Sequence, residues 1–221
     1  MPAIREYLYQ HDVGLSRLRR MMQKAAKEQL AALEEQQGVA WMNGLLNGKR
    51  IVVTGAARGL GYHFAEACAG QGAAVVMCDI LRGELAESAH RLQEKGYRIE
   101  SHGIDLADSE SVDRVFSAIG ERGAIDGLVN NAAMATRVGG KNMLDYDPDL
   151  WDRVMTVNVK GTWLVTRAAV PLAARRGGDR QRRLGYCPVG APRLMAYVAS
   201  KGAVIAMTRS MARELGESAS A

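Results

Sequence analysis

From Lys49 onward, short apolar runs rich in Val and Ile alternate with longer amphipathic stretches. Residues 51–54 (IVVT), 73–78 (AAVVMC), 98–103 (RIESHG) and 127–130 (GLVN) read as four strands. Near-continuous apolar strands of this kind belong in a sheet covered on both faces. Between them, residues 62–70, 84–95 and 109–119 repeat their apolar positions at helical spacing, and 148–175 hold one or two long helices. This alternation predicts an α/β fold: a doubly wound parallel sheet of the Rossmann kind. Residues 1–45 read differently. Leu15, Leu18, Met21, Met22, Ala25, Leu30 and Leu33 recur at roughly helical spacing among Arg, Lys, Gln and Glu, which predicts an amphipathic helical extension over about 15–35 ahead of the domain at 46–221. That helix reads as a docking or oligomerisation arm, as a helix lying on the domain surface, or as untranslated leader before Met42.

Composition changes this picture little. The chain has 221 residues, 48% hydrophobic and 24% charged, as an ordinary globular domain has. No run approaches the length of a membrane span. Arg5, His11 and Arg17 interrupt any apolar run at the start, so no secretory signal and a cytoplasmic setting are expected. Cys68, Cys78 and Cys187 lack metal-ligand spacing. His11, His63, His90 and His102 form no cluster, so they read as surface residues and no metal site is expected. The net charge of +5 raises the question of nucleic acid, but five Arg and one Asp sit together in residues 175–183 (RRGGDRQRR), so the excess is local and no nucleic-acid partner is expected.

The first strand runs into Thr54-Gly55-Ala56-Ala57-Arg58-Gly59-Leu60-Gly61. Glycines there permit a tight turn and let the backbone approach a pyrophosphate, at which the following helix aims its free N–H groups. About 20 residues on, directly after the second strand, stands Asp79. An acid at that point can bind both ribose hydroxyls of NAD and repel the 2′-phosphate of NADP; its other reading is a cap or turn residue. Arg58 pulls the other way, since a cation beside the ribose could receive a phosphate. The balance predicts NAD as cofactor, with NADP second.

The spacing Gly55-x3-Gly59-x-Gly61 resembles that of the short-chain dehydrogenase/reductase family. Asp105-Leu106 resembles its adenine contact, and Asn130-Asn131-Ala132-Ala133 resembles its NNAG motif, with Ala133 in place of Gly. Asn158 in VNVKG and Tyr197-Val198-Ala199-Ser200-Lys201 match its Asn and its YxxxK. The resemblance covers residues 46 to about 216. It implies a cofactor site at Gly55, Arg58, Gly59, Leu60, Gly61, Asp79, Asp105, Leu106, Asn131, Ala132, Tyr197 and Lys201. Tyr197, Lys201 and Asn158 are the implied catalytic residues.

Tyr197 and Lys201 stand i, i+4 and so share a helix face. A Tyr hydroxyl is a poor base at neutral pH, with a pKa near about 10, and a nearby ammonium favours its phenolate. The pair predicts a general acid/base that interconverts a secondary alcohol and a ketone while hydride passes to or from nicotinamide. The resemblance adds that Lys201 holds the nicotinamide ribose, that Asn158 positions a water in a proton relay, and that the protein is a homodimer or homotetramer acting on a small-molecule alcohol or ketone. Rival readings are an NADPH-dependent 3-oxoacyl reductase and a catalytically dead dinucleotide-binding remnant.

One stretch disagrees. The family's substrate-holding Ser is implied about thirteen residues before the Tyr, where this chain has Leu184, and residues 177–189 (GGDRQRRLGYCPV) are too charged for the centre of a parallel sheet. Permitted codons for residues 179–189, read one base later, spell IVNVASDTALW: a buried strand with a Ser at position 184. Residues 217–221, read two bases later, give ERIRVN, a segment that the family resemblance would supply. These readings predict a frame-shifted chain whose sheet is incomplete on the C-terminal side; a diverged member that lacks the Ser is the alternative.

Overall fold

A computed structural model of the chain describes residues 44–136, 138–140, 142–173 and 193–218. The expected N-terminal helix and the residues 177–189 lie outside this set. Four strands, β1 (Arg50–Thr54), β2 (Ala74–Asp79), β3 (Ile99–Gly103) and β4 (Gly127–Val129), form one parallel sheet in the order β3-β2-β1-β4. Helices α1 (Gly59–Gly70), α2 (Arg82–Glu94) and α3 (Ser109–Glu121) make the crossovers. After β4 come α4 (Pro148–Met155), a π-helical stretch over Thr156–Gly161, α5 (Thr162–Ala169), a single 3-10 turn and finally α6 (Met195–Ser218).

Strand parity explains the layers. Val53, Val75 and Met77 point to one face and pack with Ala65 and Ala69 of α1 and Leu85, Ala89 and Leu92 of α2. Val52, Val76 and Cys78 point to the other and meet Val112, Phe116 and Ile119 of α3 and Leu164, Val165 and Ala169 of α5. Successive strand residues alternate faces, so the inner strands β1 and β2 feed both cores. Burial pushes the Cys78 thiol up to about 12, helped by the Glu100 and Asp79 charges, which leaves it an inert apolar filler.

Helix starts follow local chemistry. Asp108 accepts from the Glu110 N–H at 2.9 Å ahead of α3, and Asp147 accepts from Asp149 at 3.0 Å ahead of α4, where Pro148 takes a position that needs no donor. Helix α1 begins at Gly59, three residues earlier than the apolar spacing suggests, because the last glycines of the turn form its first turn. At the far side, the Ile125 N–H donates to the Leu172 carbonyl at 2.9 Å and Ala173 forms a parallel bridge to Ile125. The chain thus reaches the outer edge of β4, which is the last strand on that side among the described residues.

His102 departs from expectation: it is not a surface residue. It sits half-buried on β3 and hydrogen-bonds Glu100 at 2.5 Å, since residues two apart on a strand share a face. Glu100 also receives Arg50 at 2.9 Å and Arg122 at 3.6 Å, while Arg50 donates to the Ile119 and Gly123 carbonyls at 2.8 and 2.7 Å and so closes the C-terminal end of α3. Burial works to raise the Glu100 pKa, but the hydrogen bonds from His102 and Arg50 and their charges outweigh it, so the carboxyl lies below its ordinary value. A depressed carboxyl pKa stabilises the fold above the unfolded-state value and loses that contribution as pH falls through the folded one. Glu100→Gln is therefore expected to cost about 1–2 kcal/mol at neutral pH, where it leaves Arg50 short of a charged partner. Denaturant unfolding as a function of pH checks this: the gap between the parent and Glu100→Gln should close below about pH 4.5.

Candidate active site

The turn from β1 into α1 is shaped by close approach. Gly55 and Gly59 have φ of 67° and 61°, in the left-handed region that glycine enters freely. A Cβ on Gly55 would stand 2.7 Å from the Ala132 Cα, and one on Gly61 would overlap the Gly55 carbonyl. The space belongs to Asn131, whose Nδ2 donates to the Thr54 and Gly55 carbonyls at 3.0 and 3.1 Å. Facing two carbonyls, that atom has to be the amide nitrogen. The Thr54 hydroxyl accepts from the N–H groups of Asn131 and Ala132, both at 3.1 Å. The residues after β4 are thereby bolted to the end of β1.

Asp79 is buried at the end of β2. One of its oxygens accepts from the Ala57 N–H at 2.9 Å and the other from the Leu81 N–H at 3.0 Å, so it is a turn residue and also an anchor of the glycine turn. Ser88 of α2 donates to the Ala57 carbonyl at 2.6 Å. Arg58 precedes α1 in extended conformation and offers no side-chain cap to the first N–H groups of that helix. A cradle that admits no Cβ, leading to an uncapped helix N-terminus, fits the pyrophosphate of a dinucleotide. Leu60 is exposed at the first turn of α1. Asp105 accepts from the Ala107 N–H at 2.8 Å, and the backbone of Leu106 lies where a Cβ on Gly161 would stand, 2.9 Å from its carbonyl oxygen.

The second half of the site hangs on the π-helical stretch. Asn158 lies within it, 2% exposed. Its Oδ1 accepts from the Met134 N–H at 2.7 Å, and its Nδ2 donates to the Met134 carbonyl at 3.2 Å and to the Ser200 Oγ at 3.0 Å. Ser200 in turn donates to the Tyr197 carbonyl at 2.7 Å. One amide side chain therefore joins the loop after β4, the π-helical turn and α6. The wide turn is what aims a mid-helix residue at both neighbours. Thr162 donates to the Asn158 carbonyl at 2.7 Å, Thr166 to the Thr162 carbonyl at 2.8 Å, and Asn130 donates to Thr166 at 3.0 Å.

Tyr197 is half-buried against the cluster of Val138, Val154 and Ala196. The Lys201 Nζ lies 5.4 Å from the centre of its ring, as the i, i+4 spacing requires. Burial lowers the Lys201 pKa. Gly139 and Gly140 fold over the start of α6: the Gly140 N–H donates to the Arg193 carbonyl at 3.0 Å, and Arg193 is held at a φ of 63°. Thr54, Ser88, Met134 and Ser200 were not among the residues singled out from the sequence. Ser200 alone carried a signal there, standing inside the Tyr-to-Lys spacing; the others act through hydroxyl or backbone groups that no sequence pattern marks.

A doubly wound sheet with a glycine cradle between its first strand and helix defines a Rossmann-type protein. Residues 49–219 match the model of the short chain dehydrogenase family, and the chain belongs to that family of NAD(P)-binding oxidoreductases. It is 33% identical over 176 residues to 2-(S)-hydroxypropyl-CoM dehydrogenase 3 of Xanthobacter autotrophicus, covering 78% of this chain and 68% of that one. Among solved structures it resembles the Escherichia coli oxidoreductase yciK, with a TM-score of 0.70 and 29% identity over 79% of this chain and 73% of that one. It also resembles a putative short chain dehydrogenase of Escherichia coli CFT073 complexed with NADPH, with a TM-score of 0.66 and 29% identity over 77% and 73%. The chain spans 62–68% of the length of the first curated relatives it matches. Among the described residues, no helix is long and apolar enough to cross a membrane and no His, Cys, Asp or Glu cluster could hold a metal.

Asn131→Asp tests the bolt between β1 and the residues after β4. It would face a carboxylate oxygen toward the Thr54 and Gly55 carbonyls, acceptor against acceptors. A loss of about 2–4 kcal/mol of stability is expected, together with weakened dinucleotide binding; denaturant unfolding and titration with NAD read the two.

Proposed function

We propose that this architecture serves the NAD-dependent interconversion of a secondary alcohol and a ketone, with Tyr197 as general acid/base and Lys201 as its electrostatic partner. The observation that carries the reading is the placement of the Lys201 ammonium over the half-buried Tyr197 ring, on a helix tied through Ser200 to Asn158. A cation there favours the phenolate. In the oxidative direction the Tyr197 oxygen takes the hydroxyl proton of the substrate; in the reductive direction it gives a proton to the carbonyl oxygen. Gly55, Gly59, Leu60 and Gly61 would hold the dinucleotide with Ala132, Asp105 and Leu106, and the nicotinamide it carries supplies the hydride acceptor or donor. Lys201 would also hold the nicotinamide ribose. Both polar atoms of the Asn158 side chain are committed to Met134 and Ser200, which supports a holding role for it beside the water relay that the family resemblance implies.

NAD is assigned over NADP on the strength of Asp79. The name of one relative contains a 2-hydroxypropyl group, a secondary alcohol, which suits the reaction class. A cytoplasmic setting belongs to the same proposal, supported by the free thiols Cys68 and Cys78. So does assembly as a homodimer or homotetramer: an open groove lined by Met155, Val159, Trp163 and Met207, between the π-helical stretch and α6, offers an apolar face.

In the chain whose residues 179–189 are replaced by IVNVASDTALW, Tyr197→Phe removes the transferable proton and should lower kcat by about 10²–10⁴ while leaving NAD affinity near the parent value. Lys201→Met should also abolish turnover, yet it removes an ammonium that burial disfavours. A lowered Lys pKa means that carrying the charge in the folded state costs stability at neutral pH, so this variant is expected to unfold at a higher temperature than the parent. Retention of most activity in Tyr197→Phe would contradict the acid/base assignment; a lower midpoint in Lys201→Met would contradict the burial cost of the ammonium.

The position of Leu184 limits the chain as it stands. With no Ser there to hold the substrate oxygen, little or no dehydrogenase activity is expected, and the charged residues 177–189 in place of an apolar strand are expected to lower solubility. Replacing residues 179–189 by IVNVASDTALW should raise solubility and NAD reduction with a panel of secondary alcohols. Cooperative folding and turnover by the 221-residue chain itself would make this a working dehydrogenase without that Ser.

A further inference from the structure

The assignment of NAD leans on Asp79, yet both Asp79 oxygens already accept backbone N–H groups, from Ala57 and Leu81, and the residue is 9% exposed. Beside it lies an ion pair that neither the fold nor the acid/base chemistry requires. Arg58, at the head of α1, meets Glu84, in the first turn of α2, at 3.3 Å. Their side chains are 67% and 49% exposed, so the pair stands open to solvent at the mouth of the glycine turn. Its geometry is set from below. One turn further along α2, Ser88 donates to the Ala57 carbonyl, which fixes that face of the helix against the residue before Arg58. The other two guanidinium groups of α2 are engaged elsewhere: the Arg82 side chain lies along Gly103 at the end of β3, and Arg91 donates to the Ser88 Oγ at 2.7 Å. Arg58 is thus the guanidinium at the head of the turn, and Glu84 holds it.

We propose that Glu84 is a specificity-determining residue for the nucleotide: by engaging Arg58 it denies that guanidinium to a 2′-phosphate and biases the site toward the unphosphorylated ribose of NAD. The proposal rests on the dinucleotide reading of the glycine turn. A guanidinium is a strong, forked partner for a phosphate, and its engagement by a carboxylate has to be broken before a phosphate can use it. Glu84 also places a second negative charge, after Asp79, on the side from which the phosphate would arrive. Neutral ribose hydroxyls meet neither obstacle. Removing Glu84 should therefore help NADP and leave NAD almost untouched. Because the pair is exposed, the effect should be modest and should weaken with salt.

The experiment measures dissociation constants of NAD and NADP by fluorescence titration of the soluble, cooperatively unfolding protein at low and high ionic strength. It uses the parent chain, Glu84→Gln, Arg58→Ala and the double variant, each checked for unchanged thermal unfolding. Glu84→Gln is expected to tighten NADP about three- to tenfold at low salt while NAD changes by less than about twofold. The gain should disappear in the Arg58→Ala background and shrink at high salt. No change in NADP affinity, an equal change for both nucleotides, or a gain that survives Arg58→Ala would each overturn the proposal. A parent that binds NADP more tightly than NAD, but still gains on Glu84→Gln through Arg58, would sink the NAD assignment and leave the role of Glu84 standing. A parent that binds neither nucleotide would overturn the reading of the turn and this proposal with it.

Discussion

The architecture depends on one close contact: the approach of the loop after β4 to the glycine turn after β1. Gly55 and Gly61 carry no Cβ because the Asn131 amide and the Ala132 backbone occupy that space. The Asn131 side chain and the Thr54 hydroxyl together make five hydrogen bonds across the joint where the paired strands β1 and β4 end. In a parallel sheet the C-terminal ends of adjacent strands open side by side, and the crevice there is where ligands bind in this class of fold. Here the crevice is held at a fixed width by groups that are themselves nearly all satisfied. The N–H groups at the start of α1, which no side chain caps, face it as well.

A second joint continues from the first. The loop that Asn131 begins reaches Met134, and Met134 is gripped through both its N–H and its carbonyl by Asn158. Asn158 then reaches Ser200, one residue before Lys201. Glycine turn, post-β4 loop, π-helical turn and α6 are joined by hydrogen bonds, so the element proposed to bind the dinucleotide and the element proposed to transfer a proton are positioned by the same groups. Gly161 contributes by absence: with no Cβ it lets the backbone of Leu106 pack against the end of the π-helical turn. Buried polar groups of this kind are costly when unmet and rigid when met, which suits a site whose reacting atoms have to be held to within a fraction of an ångström.

Charge is distributed by burial. At the other end of the sheet, Glu100 gathers Arg50, Arg122 and His102 around one half-buried carboxylate, and Arg50 uses its remaining donors on the end of α3. At the mouth of the cleft the charges are exposed and act on what approaches rather than on the fold. The first group fixes where β3 and α3 meet; the second, in the proposed reading, leaves nucleotide choice open to small changes in side chains.

The sequence by itself determined the sheet, its helices and the places where chemistry was expected. Parity along residues 51–54 and 73–78, helical spacing in between, the glycines of 55–61 and the i, i+4 pair Tyr197 and Lys201 are all local signals, and backbone geometry turns each into structure without knowledge of the rest of the chain. Tertiary structure alone decided what those residues touch. Asn131 faces carbonyls of β1, and Asp79 anchors the turn at Ala57. Asn158 sits in a π-helical turn that no Pro or Gly run announces, and His102 belongs to an ion network rather than to the surface. Each of these partnerships joins residues distant in the sequence, through hydroxyls, carbonyls and N–H groups that every residue type or many can supply. Such contacts are fixed only when strands pair and helices dock, because their energy comes from distance and orientation in space, which spacing along the chain does not encode.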